Sequence, residues 1–186
     1  MKQIIEYLST KVAKPSIIKA TNDTIQKIVK SEIDRLGPEA NLNHIDTSKV
    51  TIMTRLFSGD ITDTFVHLSD ELNPDISQWN VSNVIYMTAM FMWMKKFNCD
   101  ISEWDVSNVR TMSHMFKGCR SFNQPIGNWN VSKVENMNSM FFKCNSFNQD
   151  LSKWKPNCHY FDWNIFKESP LEGKKEFFPK FIETKK

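Results

Sequence analysis

The sequence predicts an α/β solenoid whose turns each hold one short strand and one short helix, closed at both ends by capping segments. Two observations carry this expectation. Residues 75–149 say nearly the same thing three times without a gap, in copies of 25 residues that open DISQWNVSNV, DISEWDVSNV and PIGNWNVSKV. A period in the range of about 20–50 residues marks units that stack only on their neighbours. Inside each copy the pattern also changes period. Phe97, Cys99 and Ile101 alternate, as do Phe122, Gln124 and Ile126, which predicts a strand near that segment. Ser82, Ser107 and Ser132 precede Val, Met, Met and Phe at offsets of two, five, eight and nine residues, which predicts a helix capped by each Ser. Ser132 with Glu135 makes a capping box.

Taken in order, residues 1–40 read as a helical N-terminal cap. Ile4, Ile5, Leu8 and Val12 lie at helical spacing over residues 1–14, and Pro15 stops that helix. Thr21 or Asn22 caps a second helix running to Leu36, with Ile25, Ile28, Val29, Ile33 and Leu36 on one stripe and Gly37-Pro38 as its stop. The repeat region spans 41–166, and its first copy is degenerate. Phe57 precedes Phe91 by 34 residues, one period plus nine, so an insertion falls at 58–73 and should leave one turn as a loop. That loop reads equally as a lateral contact or as a tolerated surface excursion. The fourth copy fades after Trp154, although Phe166 keeps register. Residues 167–186, with Phe177, Phe178, Phe181 and Ile182 among lysines, read as a C-terminal cap over an otherwise exposed end.

Columns of identical residues assign the interior. Trp79, Trp104, Trp129 and Trp154 form one column; Met53, Met87, Met90, Met112, Met115, Met137 and Met140 line another side. Such residues hold each unit to its neighbour rather than a ligand. Asn98, Asn123 and Asn148 predict an amide ladder for turn backbone groups, and Asp75, Asp100 and Asp150 read as turn residues. Cys119 and Cys144 share a column as small buried hydrophobes, with a disulfide between them the minor alternative.

The run FNxDISxWxVSNVxxMxxMFxxCxxFN, carried by 75–149 and more weakly by 41–74 and 150–166, resembles the BspA-like leucine-rich repeats, specifically the Mycoplasma-type lipoprotein repeat of unassigned function. The resemblance implies a right-handed leucine-rich-repeat-like solenoid used for protein–protein contact, with no catalytic residues to carry over. It is a likeness found mostly on bacterial surfaces. The start of this chain interleaves Lys2, Glu6, Lys11 and Lys14 with apolar residues and its first Cys is Cys99, which points instead to a cytoplasmic, monomeric interaction protein of bacterial or mobile-element origin.

Charge and chemistry narrow the function. Residues 1–38 carry seven Lys/Arg against four Asp/Glu, 39–166 eleven against thirteen, and 167–186 six against four, so the repeats are near neutral and lack a dedicated nucleic-acid face. No stretch approaches the roughly 18 apolar residues that span a bilayer. His44, His67, His114 and His159 are scattered and no HExxH, GxSxG, GxGxxG or phosphate loop occurs, so neither an enzyme nor a metal or other cofactor is expected. Binding is read from the columns where copies disagree. Trp93 stands where other copies have Gly118 and Lys143, beside Lys95 and Lys96, the composition of an interaction anchor. Met92-Trp93-Met94 fits as well beneath the insertion. Lys95, Lys96, Arg110, Lys117, Arg120 and Lys143 fall on successive turns as a basic stripe. The expected partner is a protein docked at Trp93 and this stripe; RNA or a ribonucleoprotein is the alternative.

Overall fold

A computed structural model describes residues 16–58, 70–158, 162 and 164–180. The predicted helix over 1–14, His67, His159, most of the 58–73 insertion, and Phe181 and Ile182 lie outside the described residues. The chain opens with strand β1 (Ile18–Lys19), helix α1 (Ile25–Leu36) and strand β2 (Ile45–Asp46). β1 and β2 pair in parallel, Ile18 opposite Ile45 and Lys19 opposite Asp46. Short 3₁₀ turns occur at Ile126–Asn128 and Lys175–Phe177.

The strand-plus-helix solenoid, and with it the right-handed leucine-rich-repeat-like fold, is overturned by these elements. Among the described residues there is one α-helix, and it lies outside the repeats; within the repeats the only described strand is the two-residue β2 of the degenerate first copy, and the later copies form only isolated parallel bridges, Ile52 to Tyr86 to Thr111 to Asn136. The physical reason lies in which residues are buried. Ile76 and Trp79, Val81 and Val84, Met87 and Met90, Phe91 and Met94, Met94 and Phe97 are buried pairs three apart, and each pair is closed by a turn hydrogen bond from the later N–H to the earlier C=O. The following copies repeat this, for example Val109 to Val106, Met115 to Met112 and Cys119 to Phe116. A spacing of three imitates the i, i+3, i+4 stripe of a helix over a short window.

The predicted Ser N-caps fail for the same reason. Ser82, Ser107 and Ser132 cap no helix; their own N–H groups donate to the side-chain oxygens of Asn80, Asp105 and Asn130 at 3.1, 3.0 and 3.1 Å, which makes Asx turns. Glu135 reaches Arg110 rather than Ser132, so there is no capping box.

Successive copies bond to one another through alternate residues. Met87, Ala89, Phe91 and Trp93 N–H groups donate to Thr111, Ser113, Met115 and Lys117 carbonyls at 3.0, 2.8, 3.0 and 2.7 Å. Met112, His114, Phe116 and Gly118 repeat this toward Asn136, Asn138, Met140 and Phe142. Met90, Met92 and Met94 close turns within their own coil, onto Met87, Ala89 and Phe91 carbonyls, so most of this backbone is paired without helix or sheet. Two positions per coil take left-handed backbone: Ala89, His114 and Ser139 at one, Trp93, Gly118, Lys143 and Glu168 at the other.

Side chains complete the stack from inside. Phe57, Phe91, Phe116, Phe141 and Phe166 stack at 5.6, 5.5, 5.6 and 5.7 Å between centroids, and Phe97, Phe122 and Phe147 at 5.8 Å. Each such pair adds about 0.5–1.5 kcal/mol beyond burial. Trp79, Trp104, Trp129 and Trp154 are at most 5% exposed, and each indole Nε1–H donates one coil back, to Leu42, Ile76, Ile101 and Ile126 carbonyls. The asparagine ladder forms as the sequence implies: Asn98, Asn123 and Asn148 N–H donate to the Oδ1 of Asn73, Asn98 and Asn123 at 2.9, 3.0 and 2.9 Å. Cys119 and Cys144 are buried free thiols donating to Phe91 and Phe116 carbonyls. Burial pushes both thiols up, well above the ordinary range for Cys119.

The two ends are covered. α1 buries Ile25, Val29 and Ile33 against the first coil, and its Glu32 carboxylate, held low first by its hydrogen bond from Arg35, also meets His44 Nε2 at 2.8 Å. Its start differs from expectation: Thr24 is the N-cap, while the Asn22 amide accepts from Thr51 and Ile52 N–H at 2.8 and 3.1 Å, holding the edge of that coil. At the other end Leu151 N–H donates to Phe177 C=O at 3.0 Å, Lys180 N–H to Trp154 C=O at 2.9 Å, and Phe178 sits 4.6 Å from Phe166.

Candidate partner interface

The segment that bonds coil to coil, 85–94 and its equivalents, has one row of side chains inside and another outside. Trp93 lies on the outer row at its end. Its left-handed backbone, φ 68°, is unusual for a bulky residue, and its Cβ points the indole away from the core, leaving it 38% exposed. The ring lies flat over Gly118, where a Cβ would approach to 2.1 Å, so the glycine of the next coil is what gives the indole its seat. Met94 is fully buried and Met92 half-buried, so of the Met92-Trp93-Met94 triplet only Met94 belongs to the core.

An alternation of aromatic rings and cations runs up this side. Lys117 Nζ sits 5.7 Å from the Trp93 ring and 5.2 Å from Phe142, and Lys143 Nζ sits 5.3 Å from Phe142. Phe142 is the member that sequence reasoning passed over; its signal was an aromatic residue at a position held by Met92 and Lys117 in the neighbouring copies.

The basic stripe is largely neutralised, and the acids that do this stand one coil away. Lys95 pairs with Asp70, Lys96 with Glu71, Arg110 Nη1 with Glu135 Oε1 at 2.7 Å, and Lys143 with Glu168 at 3.7 Å. The spacing of 25 residues in these pairs was the available signal. Among the described residues, Lys117 and Arg120 form no ion pair. Arg110 belongs elsewhere: it lines an open groove of about 610 Å³ with Lys49, Asn83, Asn108 and Lys133, away from Trp93 in the chain. Of the seven residues singled out by sequence, Trp93, Lys117 and Lys143 are joined through the Phe142 ring, Lys95, Lys96 and Arg120 lie on the same segments of successive coils, and Arg110 stands apart in the groove.

His114 occupies the other left-handed column. Burial first, then the nearby Lys117, lowers its pKa from the ordinary value, favouring a neutral ring, and its Nδ1 is buried without a hydrogen-bond partner among the described residues. No group of three His, Cys, Asp or Glu side chains placed to hold a metal occurs among the described residues, and no helix among them is long and apolar enough to cross a membrane.

Fold and surface together define a repeat protein in which interior aromatic and thioether columns and an exposed amide ladder fix the copies, while most variation falls at outward positions. Residues 59–169 match the family described as Mycoplasma protein of unknown function, DUF285, and the chain belongs to that family. No curated protein and no solved structure matches it.

Proposed function

We propose that the chain is a non-enzymatic docking protein, related to the BspA-like repeat proteins, that acts in the cytoplasm by binding and occluding or scaffolding another protein. The observation that carries the reading is the exposed Trp93 indole, seated on Gly118 and flanked by Lys117. A large aromatic ring left on the surface in a backbone conformation that costs about 1 kcal/mol or more has the character of an interface anchor. The anchors are Trp93, Lys95, Lys96, Lys117, Arg120 and Lys143, with Arg110 contributing from the neighbouring groove. The ion pairs of four of these six cations within the chain favour a protein over RNA, because paired lysines release few counterions from a phosphate backbone.

Affinity capture from the native host with the wild type and with Trp93→Ala tests this. The account expects a protein retained by the wild type and lost by the variant, with an unchanged melting temperature in the variant. Capture that is identical for both, or capture of RNA with a steep salt dependence, contradicts it.

A further inference from the structure

The docking reading leaves open what kind of partner segment fits, and the charges around Trp93 narrow it. Four cations on this molecule have a carboxylate one coil away, and they thereby spend their charge inside the chain. The coil that carries Gly118 follows this rule at Arg110 only. Its other two outward cations, Lys117 and Arg120, have no acid partner among the described residues; Lys117 sits beside the exposed indole of the preceding coil, and Arg120 follows two residues after the Gly118 that seats that indole. Lys117 is held in place between Trp93 at 5.7 Å and Phe142 at 5.2 Å. A cation fixed between two rings is oriented before any partner arrives, so its ammonium loses little freedom on meeting an anion. Arg120 is exposed, and Ser146 N–H donates to its backbone carbonyl at 3.1 Å, so the backbone that carries it is tied to the next coil.

Resting on that docking reading, we propose that the surface formed by Trp93, Lys117, Arg120 and Phe142 binds an acidic protein segment, two carboxylates meeting Lys117 and Arg120 while an apolar side chain between them covers the indole. Two unpaired cations around an aromatic platform match a short acidic motif. A phosphate backbone needs a longer run of free cations than this face supplies, since Lys95, Lys96 and Lys143 are already neutralised. Charge complementarity thus selects the partner class, and the indole supplies the apolar contact.

The test uses the full chain and a fluorescein-labelled peptide of alternating Glu and Leu, with a matched Lys–Leu peptide and an oligouridylate as the other arms, read by anisotropy at low salt. The acidic peptide is expected to bind the wild type, to lose at least about tenfold in affinity in Trp93→Ala and in the Lys117→Ala, Arg120→Ala double variant, and to be unaffected by Lys153→Ala at another exposed lysine. Lys117→Glu is expected to transfer preference to the Lys–Leu peptide. Melting temperatures of all variants serve as the folding control. Equal binding of the acidic peptide by wild type and variants, or tighter binding of either other probe by the wild type, overturns the proposal. If the host protein captured above still depends on Trp93 while the acidic peptide fails, the acidic assignment falls and docking stands.

Discussion

Helix α1 and the 84–94 segment of the repeats present the same signal, apolar residues three and four apart, yet one folds as a helix and the other as consecutive turns. In α1 the residues between the buried Ile25, Val29 and Ile33 are mostly Gln, Lys and Glu, good helix formers that leave the i→i−4 ladder undisturbed. In the repeats most buried residues lie three apart, broken only by the consecutive Ala89, Met90 and Phe91, and they are approached through Asn and Ser, whose side chains compete for backbone groups. A second difference decides the outcome. α1 has a neighbour on one face only, whereas each coil is bounded above and below by a near-copy of itself. Backbone N–H groups that a helix would turn inward can bond to the next coil instead, and the aromatic columns hold that coil in register.

Breaking an interior column should have the largest effect. Phe116→Ala removes a ring that stacks on Phe91, Phe122 and Phe141, and chemical denaturation is expected to show a loss of about 3–5 kcal/mol. A near-wild-type midpoint would place the ring outside the core. The amide ladder comes next. Asn123→Ala leaves the exposed Asn148 N–H and Gln149 side chain to water instead of their Oδ1 acceptor, and the expected cost is about 0.5–1.5 kcal/mol. The same substitution at Asn22, where the cap holds the first coil, should instead raise amide exchange at Thr51 and Ile52 alone.

The smallest effect concerns pH and compares copies with each other. Asp105 closes its turn where Asn80 and Asn130 close the equivalent ones, and its carboxyl is held below the usual range first by the Ser107 side chain and then by the Ser107 N–H. A depressed folded-state pKa gives stability that is present above the unfolded value of about 3.9 and is lost as pH falls through the folded value. Asp105→Asn should therefore flatten part of the acid-side loss of stability while leaving neutral pH unchanged. Parallel acid profiles for the two proteins would remove Asp105 from that role.

Much of the stacking was legible because identity at fixed spacing reports a contact from coil to coil whatever the local conformation: the four tryptophans and the Phe columns are buried in register, and the Asn98–Asn123–Asn148 ladder repeats in the same register on the exposed side. Local conformation was not legible in the repeats, since a spacing of three over ten residues fits both a helix and a row of turns. Helix α1 was legible to its end, but its start was displaced because Asn22 serves the first coil. At the candidate interface, Trp93 was visible as an odd member of its column. The pairing of Lys95, Lys96, Arg110 and Lys143 was not, because the partner acid lies a full coil away and part of it, Asp70 and Glu71, fell inside the stretch read as an insertion.

Scalar coupling across hydrogen bonds in the isotopically labelled protein tests the stacked-turn architecture most directly. The account predicts that the Phe91 N–H couples to the Met115 carbonyl, Phe116 to Met140 and Phe141 to Ile165, each one coil on. Coupling of Phe91 to the carbonyl of Met87, four residues back, would show a helix there and would contradict it.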